Sequence, residues 1–203
     1  PPRWHIPRAG SGSTLVYYSH RDKDAFEGGG DEITERVIRR VAGGRTVRLF
    51  RVDNPPLAFL DVDRGRIAIA NGLAGEIRLP DASVAASFNF PGSSIAVALD
   101  GSTLAAHIWS PSSRFFALFN ASSGKLLARV RVSRGATSMS AGGGWVVYRE
   151  GRSIRGFKAR TRSVRLHIRT KRDPVGFSVA GRRVAWAENH RGHGRIRAFT
   201  LPR

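Results

Sequence analysis

The chain has 203 residues, 41% of them hydrophobic with 23 glycines besides, enough apolar material for a packed core, which argues against wholesale disorder. It has no cysteine, which excludes a disulfide framework, a thiolate nucleophile and a cysteine-ligated zinc centre; no apolar run approaches the roughly 20 residues a membrane-spanning helix needs. Lys plus Arg number 34 against 15 Asp plus Glu, a formal charge of +19, and only Lys23, Lys125, Lys158 and Lys171 are lysines, leaving 30 arginines.

Such a basic, arginine-rich field attracts nucleic acid, anionic lipid or an acidic polymer, although arginine skew also follows nucleotide composition. The chain begins at Pro1 with no initiator methionine and no visible leader, so we expect a processed or excised part of something longer.

In chain order, Pro1, Pro2 and Pro7 surround Trp4-His5-Ile6, which is expected to form at most a short or edge strand. Leu15 to Ser19 reads as the first central strand. The acidic loop Asp22 to Glu32 follows, with its Gly28-Gly29-Gly30 run. Ile33 to Val41 and Thr46 to Arg51 flank Gly43-Gly44, a hairpin signal. Asp53-Asn54-Pro55-Pro56 breaks the chain before Leu57 to Val62, and Leu79-Pro80-Asp81 interrupts the hairpin between Glu76 and Phe88.

Ser94 to Leu99 and Ser102 to Trp109 pair across Asp100-Gly101. Phe115 to Asn120 and Leu126 to Val132 complete that unit, Arg129 and Arg131 alternating with Val130 and Val132. The next unit runs from Thr137 through Trp145 to Arg149, then Ser153 to Ala159 and Val164 to Arg169. Pro174 to Glu188 and Arg195 to Leu201 form a last unit, one strand short.

These units repeat. Taking Leu15, Ile67, Leu104, Val146 and Val184 as equivalent gives spacings of 52, 37, 42 and 38 residues, with a glycine just upstream of each. In Arg183 to Glu188, Val184 and Trp186 alternate with Ala185 and Ala187, so neither face is made for water and the strand belongs inside a packed sheet. A unit of about 40 residues that cannot bury its own faces does so by stacking on its neighbours.

The fold expected is therefore all-β, a single β-propeller domain with repeats near 1–52, 53–90, 91–134, 135–171 and 172–203. The rival arrangement is a twisted β-sandwich. Either Trp4-His5-Ile6 supplies the missing outer strand and closes a five-bladed ring, or the chain is part of a ring of six to eight blades. In Leu99-Asp100-Gly101-Ser102-Thr103-Leu104-Ala105 and Asn120-Ala121-Ser122-Ser123-Gly124-Lys125 the chain resembles the TolB-like and WD-repeat-like propellers. The repeats, with no reactive constellation among them, point to a non-enzymatic binding or scaffolding module with a protein partner, and the resemblance implies an extracytoplasmic location.

In an antiparallel unit, second-to-third connections and connections between units emerge at one end. That end collects His20-Arg21-Asp22-Lys23-Asp24, Ser110 to Ser113, Glu150-Gly151-Arg152, His190-Arg191-Gly192-His193 and the connectors 53–56 and 171–174. Loops at such an end carry function, so the candidate partner-binding residues are His20, Arg21, Arg152, His190, Arg191 and His193.

His190 and His193, with His20, Asp22 and Asp24, have donor types for a transition metal. A three-residue spacing on a glycine loop is equally that of a solvated basic loop, and we assign no metal. Asp22 to Glu32 lacks the acidic spacing of a calcium loop. His107 is expected in the core with a hydrogen bond, His167 exposed on an outer strand, and the four tryptophans in packing. No nucleophile elbow or phosphate-loop motif stands out, so we assign no cofactor and no catalytic residue. A propeller-face glycoside hydrolase or lyase is the alternative; electrostatic binding of nucleic acid or an acidic polymer is a third.

Overall fold

The computed structural model describes residues 3–11, 14–21, 36–42, 45–52, 59–162 and 165–203; up to residue 52 this is backbone plus the Val16 side chain, and His190 is described as backbone. Every described element is a β-strand. The first sheet holds β1 (Arg3–Ser11), β2 (Thr14–Arg21), β3 (Arg36–Ala42) and β4 (Arg45–Val52); the second β5 (Phe59–Asp63), β6 (Arg66–Asn71), β7 (Ala74–Arg78) and β8 (Val84–Asn89). The third holds β9 (Ser93–Asp100), β10 (Thr103–Trp109), β11 (Arg114–Asn120) and β12 (Leu126–Arg131), and the fourth β13 (Ala136–Gly142), β14 (Trp145–Glu150), β15 (Ser153–Lys158) and β16 (Arg165–Arg169). The last has three strands, β17 (Pro174–Ala180), β18 (Arg183–His190) and β19 (His193–Thr200).

Each sheet is an antiparallel meander in which sequence neighbours pair. Leu15, Ile67, Leu104, Val146 and Val184 are each the second residue of the second strand of their sheet. They pair with Gly10, Val62, Leu99, Ala141 and Val179 on the first strands. The first strands pack in succession, β1 on β5, β5 on β9, β9 on β13 and β13 on β17. The result is separate sheets stacked side by side around their first strands, not two facing sheets as a sandwich requires.

Burial follows from that stacking. In β10 the five residues Leu104 to Ile108 are all buried, whereas β12 is exposed or half-exposed along its length. Between the second and third sheets, Phe88 and Phe90 meet Phe119 edge-on at 5.6 Å between ring centres. Burying such side chains stabilises by about 1.5 to 3 kcal/mol each. Trp145, Val147, Ile154 and Leu166 of the fourth sheet pack with Val184, Trp186 and Leu201 of the last. The other side of the last sheet is open, with Val175 75% and Ile196 79% exposed.

Polar ties reinforce the stacking. Leu99 N–H donates to Asp61 Oδ2 at 2.7 Å and Gly101 N–H to Asp63 Oδ2 at 2.9 Å, joining the second and third sheets. Gly144 N–H donates to Asp100 Oδ2 at 2.6 Å between the third and fourth, and Val179 N–H to Ser140 Oγ at 3.3 Å between the fourth and last. The acceptors fall in two slots: Asp61 and Ser140 stand six positions before Ile67 and Val146, Asp63 and Asp100 four before Ile67 and Leu104.

Two expectations are corrected. Trp4-His5-Ile6 does not complete the last sheet; it lies in β1, paired with Ser19 to His20 and Tyr18 of β2. Closing a local hairpin orders far less chain than reaching the other end of the molecule, and an edge strand with a register irregularity between Pro7 and Ala9 tolerates the proline. The segment is an edge strand as expected, but a long one. Trp109 ends β10 at 43% exposure instead of packing inside, while Trp145 and Trp186 are buried. Among the described residues no helix is long and apolar enough to cross a membrane.

Candidate functional site

The first strands all begin at one end, and there the second-to-third turns and the connectors meet. Ser110 and Ser113 close the β10–β11 turn with backbone bonds of 3.0 and 3.3 Å and a 3.0 Å contact between hydroxyls. Thr170 Oγ1 reaches both the Arg152 carbonyl, at 2.7 Å, and that of Arg172, at 2.6 Å, tying the β14–β15 turn to the next connector. Arg149 Nη1 donates to the Pro174 carbonyl at 2.7 Å, and Arg114 Nη1 to the Arg134 carbonyl at 2.6 Å. Side-chain bonds thus fasten these loops to each other.

Of the residues expected on this face, His20 and Arg21 are the last two of β2. Arg152 follows Gly151 in the β14–β15 turn and pairs with Asp173 at 3.6 Å, an exposed pair of small energetic worth. His190 and His193 pair across Arg191-Gly192, both of which have positive φ, 52° and 80°. That two-residue turn suits the strand twist, but the left-handed region costs a residue with a β-carbon about 1 to 2 kcal/mol. Asp22, Lys23, Asp24 and the acidic loop to Glu32 lie outside the described residues, as does the connector 53–56. Among the described residues no three His, Asp or Glu side chains gather to hold a metal.

What the sequence did not reveal is the cavity at this end. About 470 Å³ in volume, it opens among the first strands of three successive sheets, walled by Phe59 and Leu60, by Ile95 to Val97, and by Ala136 to Met139, with His107 and Arg114 completing it. His107 is 1% exposed and its ring stands edge-on to Phe116 at 4.8 Å. The ring is buried with a hydrogen bond to the Thr137 backbone, as expected of a core histidine, but its Nε2 is buried with no hydrogen-bond partner. Burial pushes its pKa down to about 4, helped by the nearby Arg114 charge and opposed by the Thr137 carbonyl. The imidazole is therefore neutral at physiological pH.

Arg114 was not a sequence candidate; its only signal is its place as the first residue after a second-to-third turn. Glu188, near the same end, is 3% exposed and satisfied by the Trp186 indole at 2.7 Å and Arg197 Nε at 3.1 Å. The indole, and then the Arg197 charge, hold its pKa below the usual range against the opposing effect of burial.

No protein-family model matches the sequence, and no curated protein does. Solved structures do. The WD40 domain of Neurospora crassa Pan2 superposes with a TM-score of 0.60 at 8% identity, over 98% of this chain and 63% of that one. BamB from Moraxella catarrhalis gives 0.57 at 10% identity, over 98% and 60%. A chain of the nidogen/laminin complex gives 0.58 at 13% identity, over 92% and 72%. All three are β-propellers, and this all-β chain of blade-like sheets resembles the WD-repeat and TolB-like members of that architecture.

Proposed function

We propose that the chain is a non-enzymatic propeller module of five blades, with repeats near 1–52, 53–90, 91–134, 135–171 and 172–203, that binds a protein partner at the end where its connectors meet. The observation that carries this reading is the cavity of about 470 Å³ opening at that end, with the unpartnered His107 Nε2 in its wall. A concave, mostly apolar site of that size with a few polar groups is what a ligand group or a partner's side chain fills. At that end of the sheets Arg134, Arg152, Lys171, Arg172 and Arg191 are exposed, which suits an acidic partner segment.

His20, Arg21, His190 and His193 belong to the same face by strand parity. The blades form an arc, not a closed ring of five: the open side of the last sheet and the span of this chain relative to its structural neighbours both favour that arrangement. The partner is sought by cross-linking from native extract. Capture of one protein by the wild type, lost in an Arg152→Glu/Arg191→Glu variant and kept in Arg129→Glu on an outer strand, supports the reading. Equal capture by all three forms would refute it.

A further inference from the structure

A second concave site lies away from that end, on the flank between the third and fourth sheets. It is a crevice of about 260 Å³ whose floor is Val130, Gly156, Phe157 and Leu166, with Tyr148 in one wall. Four arginines line it, Arg131, Arg155, Arg162 and Arg165, together with His167; Arg131 alternates with Val130 and pairs with Phe115, so its side chain belongs to the other face of its strand. Register puts Arg155, Arg165 and His167 on one face: Arg155 pairs with both Tyr148 and His167, and Phe157 with Arg165. Cross-strand partners share a face, so this basic row is presented toward the outer strand of the third sheet.

The charges are poorly balanced. Arg155 is ion-paired with Glu150, and His167 shares a 3.0 Å hydrogen bond with Ser153. The Arg162 and Arg165 side chains have no carboxylate or other acceptor among the described residues. Unneutralised cations gathered around one concave volume repel each other. An anion relieves that repulsion, and guanidinium forks bind phosphate oxygens in pairs.

We propose that this flank crevice is a binding site for a short run of phosphate groups, with Arg162 and Arg165 as the charged contacts and Arg155 held in place by Glu150. Arginine abundance alone does not make such a site. Arg129, on the same strand as Arg131, lies over the Phe115 ring at 5.5 Å and lines neither cavity, so it serves as the control.

The test is isothermal titration calorimetry of the full chain with inorganic tripolyphosphate at low ionic strength, and with a nucleoside triphosphate in a second arm. One site is expected, weakening as salt rises. Arg162→Gln/Arg165→Gln is expected to lower tripolyphosphate affinity at least tenfold, and Arg129→Gln less than twofold. Equal affinity in the two arms identifies the phosphates alone as the recognised group, whereas tighter nucleotide binding identifies a nucleotide source with its base against Tyr148 or Phe157. No heat from the wild type, unchanged affinity in the double variant, or an equal loss in Arg129→Gln would overturn the proposal.

Discussion

The junction between the second and third sheets and that between the fourth and last occupy the same slots with different chemistry. At the first, Asp61 and Asp63 reach across to backbone N–H groups, and three phenylalanines fill the space behind them. At the second, Ser140 takes the Asp61 slot, and the Asp63 slot is Gly142. A β-carbon at Gly142 would stand 2.9 Å from the Gly181 carbonyl oxygen, and one at Gly143, 2.7 Å. One junction bridges a gap with side chains; the other removes side chains so that backbones meet. What the repeat preserves is a position and its task, while the residue that performs the task changes.

Substitutions at the two junctions should fail for different reasons. Phe119→Ala, at the side-chain junction, should cost about 3 to 5 kcal/mol through lost burial and a cavity, read as a lower urea midpoint. Gly143→Ala, at the backbone junction, combines a φ of 60° with contact against a carbonyl. Its loss should be about 2 to 4 kcal/mol, although it adds a methyl group and removes nothing.

Asp61 sharpens the comparison through pH. Burial raises its pKa to about 6, against the lowering effect of the Leu99 and Val62 N–H groups. A carboxyl with a raised folded-state pKa favours the fold most when protonated, and that stability is lost as pH climbs from about 3.8 through 6. His107 has the opposite sign: its pKa falls from 6.5 to about 4, so stability is lost as pH drops through that window. The two contributions oppose each other between about pH 4 and 6. Asp61→Asn should therefore be about 2 kcal/mol more stable than the wild type at pH 8 and equal to it near pH 4, as chemical denaturation across pH would report. His107→Gln should lose stability as pH rises over that interval.

The smallest effect belongs to the face with no junction. Ile196→Ser, at 79% exposure, should change stability by less than about 0.5 kcal/mol, whereas Val184→Ala on the packed face of the adjacent strand should cost about 2 kcal/mol.

The architecture was legible because it rests on alternation and spacing. Val184, Val146, Leu104 and Ile67 are apolar in every copy, since their face of the second strand is buried in each of these sheets. The ties between sheets were not legible, because Asp, Ser and Gly perform equivalent tasks and share no pattern a sequence search detects. At the candidate site, strand parity located the turns of Arg152 and His190-Arg191-Gly192-His193. It gave no sign of the cavity, whose walls come from Phe59, Ile95 and Met139 on three different sheets and look like ordinary core positions in the chain. His107 was recognised as buried; that its Nε2 lacks a partner depends on neighbours from β11 and β13.

The most direct test of the slot account is native-state amide exchange at Leu99, compared between the wild type and Asp61→Ala. Leu99 N–H donates across the junction to Asp61, so the account predicts that its protection falls in the variant while the amides of Leu104 and Ala106, inside the third sheet, stay slow. Unchanged protection at Leu99 would contradict it.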